Sequence, residues 1–270
     1  MQADWELVRA PPRPDLAGAV LGYTGYREHR AEPVLRREVP VLVLPLIVNF
    51  AAPFRLSVAG GQSSAPQGFA AGLIDRPVLV SSTGLAACVQ VDFTPAGAYG
   101  FFQLDQRDMA GRIVDLDDLG ELRHLGPRLR DCRSWVECFA LLDRVIGDRL
   151  ARGRSLSPEV AAGLAWLAAR RGRGRMRELA AAAGWSERHL TRRFVSETGV
   201  GPKIIARIQR FEHARELAAR GRPGGWAAIA QTAGYADQAH MTREFTALGG
   251  LPPAALARND AGEHGILEPG

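Results

Sequence analysis

Two stretches of this chain follow one local plan. "MRELAAAAGWSERHLTRRF" (176–194) and "WAAIAQTAGYADQAHMTREF" (226–245) each carry small and aliphatic residues at helical spacing, then a glycine, an aromatic residue and a second amphipathic run. In the first, Leu179, Ala180 and Ala183 precede Gly184, and Leu190 and Phe194 follow one helical turn apart. In the second, Ile229, Ala230 and Ala233 precede Gly234, and Met241 and Phe245 follow. Glycine supplies the positive φ of a tight turn between helices, and alanines let the two helices cross closely. The phenylalanines are one residue further apart than the glycines, so the second turn holds one extra residue. Each unit is followed by a glycine and then a proline: Gly199 and Pro202, Gly250 and Pro253. Such agreement in register marks an internal repeat, and the repeated plan is helix-turn-helix.

Between the copies, "PKIIARIQRFEHARELAAR" (202–220) reads as a proline-started helix with Ile204, Ile205, Ile208, Phe211, Ala214 and Leu217 inward. At 1.5 Å per residue it spans about 27 Å. A rod of that length can hold two recognition helices about one duplex turn apart, roughly 34 Å. Upstream, Ser157, Pro158 and Glu159 spell a helix start after the linker "ARGRSLSPE".

The first half has a different texture. "LGYTGYREH", "VPVLVLPLIVNF", "FRLSVAG", "GFAAGLI", "PVLVSST" and "ACVQVDF" are short Val- and Leu-rich runs between turn residues, the pattern of a β-sandwich or small barrel. "PAGAYGFF" and 134–150 turn helical, with Trp135, Phe139, Leu142, Val145 and Ile146 on one stripe. The second of these helices suits closing the sheet domain and suits pairing two protomers. The expectation is an α+β protein of two domains. Residues 1–152 form a β-rich sensor or dimerisation domain with closing helices. Residues 153–258 form an all-α domain of two helix-turn-helix units on a linker helix, and 259–270 a flexible tail.

Charge divides along the same line. Residues 1–152 hold 17 basic and 18 acidic side chains, whereas 153–270 hold 17 and 11. A one-sided basic excess fits a polyanion as partner and equally fits a solvated surface. The apolar run 39–54 is broken by Pro45 and Asn49, which excludes a bilayer span. The N-terminus lacks a basic segment followed by an apolar one, so no secretory signal and a cytoplasmic location are expected. Cys88, Cys132 and Cys138 make no CxxC, and Cys132 and Cys138, six apart, would fall on different faces of one helix; buried thiols are expected. His29 and His124 stand apart with no HxH, which disfavours a metal site. No cofactor is expected. Trp5, Tyr23, Tyr26, Phe50, Phe54 and Phe69 suit an apolar pocket, though more of them suit core.

With Leu190 and Phe194 inward, Arg188, Thr191 and Arg192 face outward. Either arginine can donate bidentately to guanine, and Thr191 can meet a thymine methyl or a phosphate. Ser186 at the helix start suits a phosphate, and His189 and Arg193 on the flanks suit phosphates too. In the second unit the outward positions are Ala239, Thr242 and Arg243, with Gln238 placed to read adenine. Its lower charge predicts weaker binding.

Residues 157–257 resemble the AraC/XylS family of bacterial transcription regulators, most closely over "IAQTAGYADQAHMTREFTALGGLPPAAL". Ile229, Ala230, Gly234, Tyr235, Asp237, His240, Arg243, Phe245, Gly250 and Pro253 carry the likeness. Ala239, Met241 and "PPAALAR" depart from it. The resemblance implies base reading by Arg188, Thr191 and Arg192 and by Gln238, Thr242 and Arg243, with His240 in the same constellation. It also implies double-stranded DNA as partner, an activator touching RNA polymerase, a small-molecule effector in the N-terminal domain and a homodimer. "VDFTPAGAYGFFQLDQRDMAGRIVDLDDL" resembles the sensor halves of such regulators. Two rivals stand beside this reading: a ligand-binding or protein-interaction module, and a DNA-repair enzyme fused to a helix-turn-helix domain. The second would need a reactive cysteine, and Cys88 sits in an apolar strand. A non-enzyme is expected.

Overall fold

The computed structural model describes residues 4–58, 63–221, 224–259 and 266–267. Its first half is built from β1 (Asp4–Ala10), β2 (Val20–His29), β3 (Val34–Glu38), β4 (Leu44–Asn49), β5 (Arg55–Val58), β6 (Ser63–Ser64), β7 (Gly68–Ala71), β8 (Val78–Ser82), β9 (Leu85–Phe93) and β10 (Ile113–Asp115). One sheet has the order β1-β2-β9-β4-β7-β10. The second runs β3-β8-β5-β6, with β11 (Ile266–Leu267) added beside β3. Most of the tail expected over 259–270 lies outside the described residues.

Period-two alternation explains the layering. On β9, Val89, Val91 and Phe93 face a core closed by α1 (Pro95–Phe102), α2 (Leu125–Arg130) and α3 (Trp135–Arg152). Ala86 and Cys88 face the second sheet with Phe54, Leu56 and Phe69. Phe93 stacks on Phe101 with ring centroids 4.7 Å apart, and Tyr23 stacks on Phe139 while donating its hydroxyl to Asp143 at 2.8 Å. Trp135 lies flat over Gly25, where a Cβ would enter its ring.

Three readings of the first half need correcting. The runs read as strands omit β1, β3, β6 and β10; β1 and β3 are rich in charged residues, which masks their alternation, and β6 and β10 are only two and three residues long. Trp5 is no pocket residue but stands 60% exposed on edge strand β1. Cys132 and Cys138 are not on one helix. Cys132 sits in the turn after α2, and both thiols donate to carbonyls at the end of that helix, Arg128 O at 3.5 Å and Leu129 O at 3.6 Å. Burial, aided by Cys132, pushes the Cys138 thiol up to about 12.

The second half is helical throughout: α4 (Pro158–Ala169), α5 (Met176–Ala182), α6 (Glu187–Thr198), α7 (Pro202–Ala219), α8 (Gly225–Ala233), α9 (Gln238–Gly249) and α10 (Pro253–Asn259). It is seated on the first half at the C-terminal end of α6, where Gly199 lies against Gln106 O and Ala110 and Val200 packs on the first core, and through the segment between β3 and β4. The sequence pattern extends β4 back to Val39, yet the strand begins at Leu44. Val39 instead enters the core of the second helical unit, and Leu42 packs against the cores of both the first domain and the first unit. Arg207 of α7 reaches Asp75 at 3.6 Å.

Glu212 of α7 also belongs to this seat. Its carboxylate accepts the Leu42 amide, and burial pushes its pKa up from 4.5 to about 7. A carboxyl raised on folding stabilises most below its unfolded pKa, and the contribution is lost as pH climbs through about 7. Glu212→Gln keeps an acceptor for the Leu42 amide without the titration. It is therefore expected to match the wild type near pH 5 and to exceed it near pH 8 by up to about 3 kcal/mol. Thermal melts of both proteins at the two pH values check this.

Candidate nucleic-acid interface

The two repeated units close around opposite ends of α7. Ile205 and Ala206 complete the first core with Val160, Leu167, Leu179, Leu190 and Phe194. Phe211, Ala214 and Leu217 complete the second with Ile229, Tyr235, Met241 and Phe245. Ile204 alone of the six positions read as inward is only half-buried. Gly184 (φ 66°) and Gly234 (φ 89°) adopt the left-handed conformation that both inter-helix turns require.

α6 and α9 are each twelve residues long and begin alike. Ser186 Oγ accepts the His189 amide at 3.2 Å, and Asp237 Oδ1 accepts the His240 amide at 2.6 Å. The cap follows Gly184 by two residues and Gly234 by three, so the extra residue of the second turn is Ala236. In each unit the histidine at the third helical position lies edge-on to the aromatic residue after the glycine, Trp185–His189 at 4.7 Å and Tyr235–His240 at 5.4 Å. His240 Nδ1 also accepts the Ala236 amide at 3.4 Å. Both histidines are half-buried and serve the turn itself, a role that spacing alone did not reveal.

Arg188, Thr191 and Arg192 are exposed on one face of α6. Arg192 donates to His189 Nδ1 at 2.9 Å, which holds the guanidinium against its own helix. Thr191 donates its hydroxyl to Glu187 O at 2.8 Å. Arg193 turns to the flank and pairs with buried Glu197 at 2.6 Å. That carboxylate also accepts the Ser157 amide at 2.7 Å and its hydroxyl at 3.0 Å. Ser157 thus holds the N-cap position of α4 but donates its hydroxyl across to α6 instead of capping its own helix.

On α9, Gln238, Ala239 and Arg243 are exposed and Thr242 is half-buried, its hydroxyl donating to Gln238 O at 2.9 Å. Glu244 on the same helix is gripped from α7 by Arg207 at 2.7 Å and Arg210 at 3.5 Å. The side chain of Glu244 is 12% exposed, so these bonds are shielded from water and tie the second reader to the connector. Each unit thus fastens its second helix through a glutamate, Glu197 to Ser157 at the start of α4 and Glu244 to Arg207 and Arg210 of α7.

Residues 179–259 match the family model described as a helix-turn-helix domain. This part of the chain is a helix-turn-helix domain of the AraC type. No curated protein matches the chain. Among solved structures it is similar to ToxT from Vibrio cholerae O395, at 12% identity over 87% of this chain and 96% of that one, with a TM-score of 0.48. It is also similar to unsaturated fatty acid bound ToxT from Vibrio cholerae strain SCE256, at 11% identity over 92% and 96%, TM-score 0.46. The AraC-like transcriptional activator CuxR matches at 14% identity over 76% and 84%, with a TM-score of 0.25. No helix among the described residues is long and apolar enough to cross a membrane.

Proposed function

We propose that the chain is a sequence-specific regulator that inserts α6 and α9 into successive major grooves on one face of a duplex, and that it activates transcription. The observation that carries this reading is the shared connector: α7 runs unbroken for 18 residues and lends one end to each unit's core. In this reading Arg188 and Arg192 read guanines, Thr191 offers its methyl to thymine, and Arg243 and Gln238 read the second groove. Asp237 brings a carboxylate to the start of α9 where α6 has the neutral Ser186. Next to phosphates this weakens the second reader. Cys88 suits no nucleophilic role, since burial pushes its thiol up to about 12. The division of the chain at 152/153, which follows the change from strands to helices, and the cytoplasmic location belong to the same reading; the homodimer, the effector in the first domain and the RNA polymerase contact rest on the resemblance.

Selection of bound sequences from a random duplex pool tests it. Two unequal half-sites centred about 10 base pairs apart are expected, the stronger being guanine-rich. Half-sites about 5 or 15 base pairs apart would place the readers on opposite faces and refute the shared-face geometry.

A further inference from the structure

The turn between α4 and α5 and the first residues of α5 read "RRGRGRMR" (170–177), five arginines in eight positions, all exposed. Two of them serve the fold. Arg170 lies over the Trp166 ring at 4.2 Å, and Arg171 pairs with Glu216 of α7 at 2.8 Å. The guanidiniums of Arg173, Arg175 and Arg177 make no ion pair with a carboxylate among the described residues, although Arg173 Nε donates to Arg170 O at 3.2 Å and the Arg175 amide to Glu178 at 3.5 Å. Three guanidiniums within five residues with no carboxylate to neutralise them repel one another, a cost that a nearby polyanion removes.

The turn lies between the two units. Gly172 packs against Ala206 of α7, and its carbonyl accepts Arg210 Nη1 at 3.0 Å. The stem of Arg173 lies on Gly234, in the turn that leads into α9; a Cβ there would come within 2.5 Å of the arginine Cγ. Three residues further on the chain enters α5, the first helix of the first unit. The arginines are therefore joined to the first unit and, through Arg173, in contact with the turn of the second.

We propose that Arg173, Arg175 and Arg177 form a third DNA contact, a clamp on the backbone phosphates along the minor groove between the two occupied major grooves. The clamp rests on the two-groove reading. It adds affinity without base preference, because phosphates carry no sequence information.

The test is equilibrium binding of the full chain to a random-sequence duplex of about 30 base pairs, long enough for two readers and their flanks, across a salt series. Removing three phosphate contacts lowers the slope of log K against log salt by about 2.7. Arg173→Ala/Arg175→Ala/Arg177→Ala is therefore expected to show that loss. The triple lysine variant is expected to keep the slope, and Arg177→Ala alone, which leaves the packed stem of Arg173 in place, to lose about 0.9. The half-sites selected by the wild type and by the triple alanine variant are expected to be the same. A wild-type slope in the alanine variants overturns the clamp alone, and so does a lysine variant as weak as the alanine one. A wild type that binds no duplex overturns the two-groove reading and the clamp with it.

Discussion

Replacing Arg192 and Arg243 together by alanine is expected to lower affinity for the selected duplex by about two to four orders of magnitude while leaving the fold intact. A good bidentate arginine–guanine pair contributes about 1–3 kcal/mol of discrimination, and about 1.4 kcal/mol is a factor of ten. Both residues are exposed and neither belongs to a core cluster, so stability should move by no more than about 0.5 kcal/mol. The single variants should differ. Arg192 is held by His189 and flanked by Arg188, whereas Arg243 shares its helix with Asp237 at the cap and Ala239 on the outward face. Arg192→Ala is therefore the more damaging of the two. Fluorescence anisotropy with labelled duplex, beside thermal melts, measures both quantities. Duplex binding unchanged in the double variant would return the helical half to the protein-interaction reading.

The parts of this architecture legible in the sequence are those set within a few residues. The turn glycines, the Ser186 cap, the buried pairs Leu190/Phe194 and Met241/Phe245, and the proline start of α7 are local, and helical periodicity exposes them. What escaped depends on partners far along the chain. Val39 and Leu42 look like the opening of a strand, but their hydrophobic partners are in the helical half, and no period records that. Arg193 reads as a flanking phosphate contact until Glu197 is seen to be buried and shared with Ser157, forty residues away. His189 reads as a phosphate contact and His240 as one of the family's DNA-binding positions, and only the ring geometry shows each packed on the aromatic residue of its turn. The candidate site was thus readable as a set of helix faces, while the side chains that orient those faces were not.

That distinction bears on the connector, where the largest change to the two-groove mechanism should follow from a single residue. Gln209→Pro removes an amide from the middle of α7, where the ring would also clash with the carbonyl of Ile205, at a cost of about 3 kcal/mol or more. Position 209 lies between the residues given to the first core, Ile205 and Ala206, and those given to the second, beginning at Phe211. A kink there can leave each unit closed on itself while changing the angle between α6 and α9, and it strains the grip of Arg207 and Arg210 on Glu244. Two readers on a stiff rod bind as one ligand, because the second engagement is intramolecular; without the rod that advantage falls by a factor of about 100 or more. The proline variant is therefore expected to bind a two-half-site duplex hardly better than a duplex holding the stronger half-site alone. The wild type and Gln209→Ala should prefer the two-site duplex strongly. Circular dichroism at low temperature verifies that the proline variant is folded. If it is folded and still favours the two-site duplex as the wild type does, α7 is not the element that sets the distance between the readers.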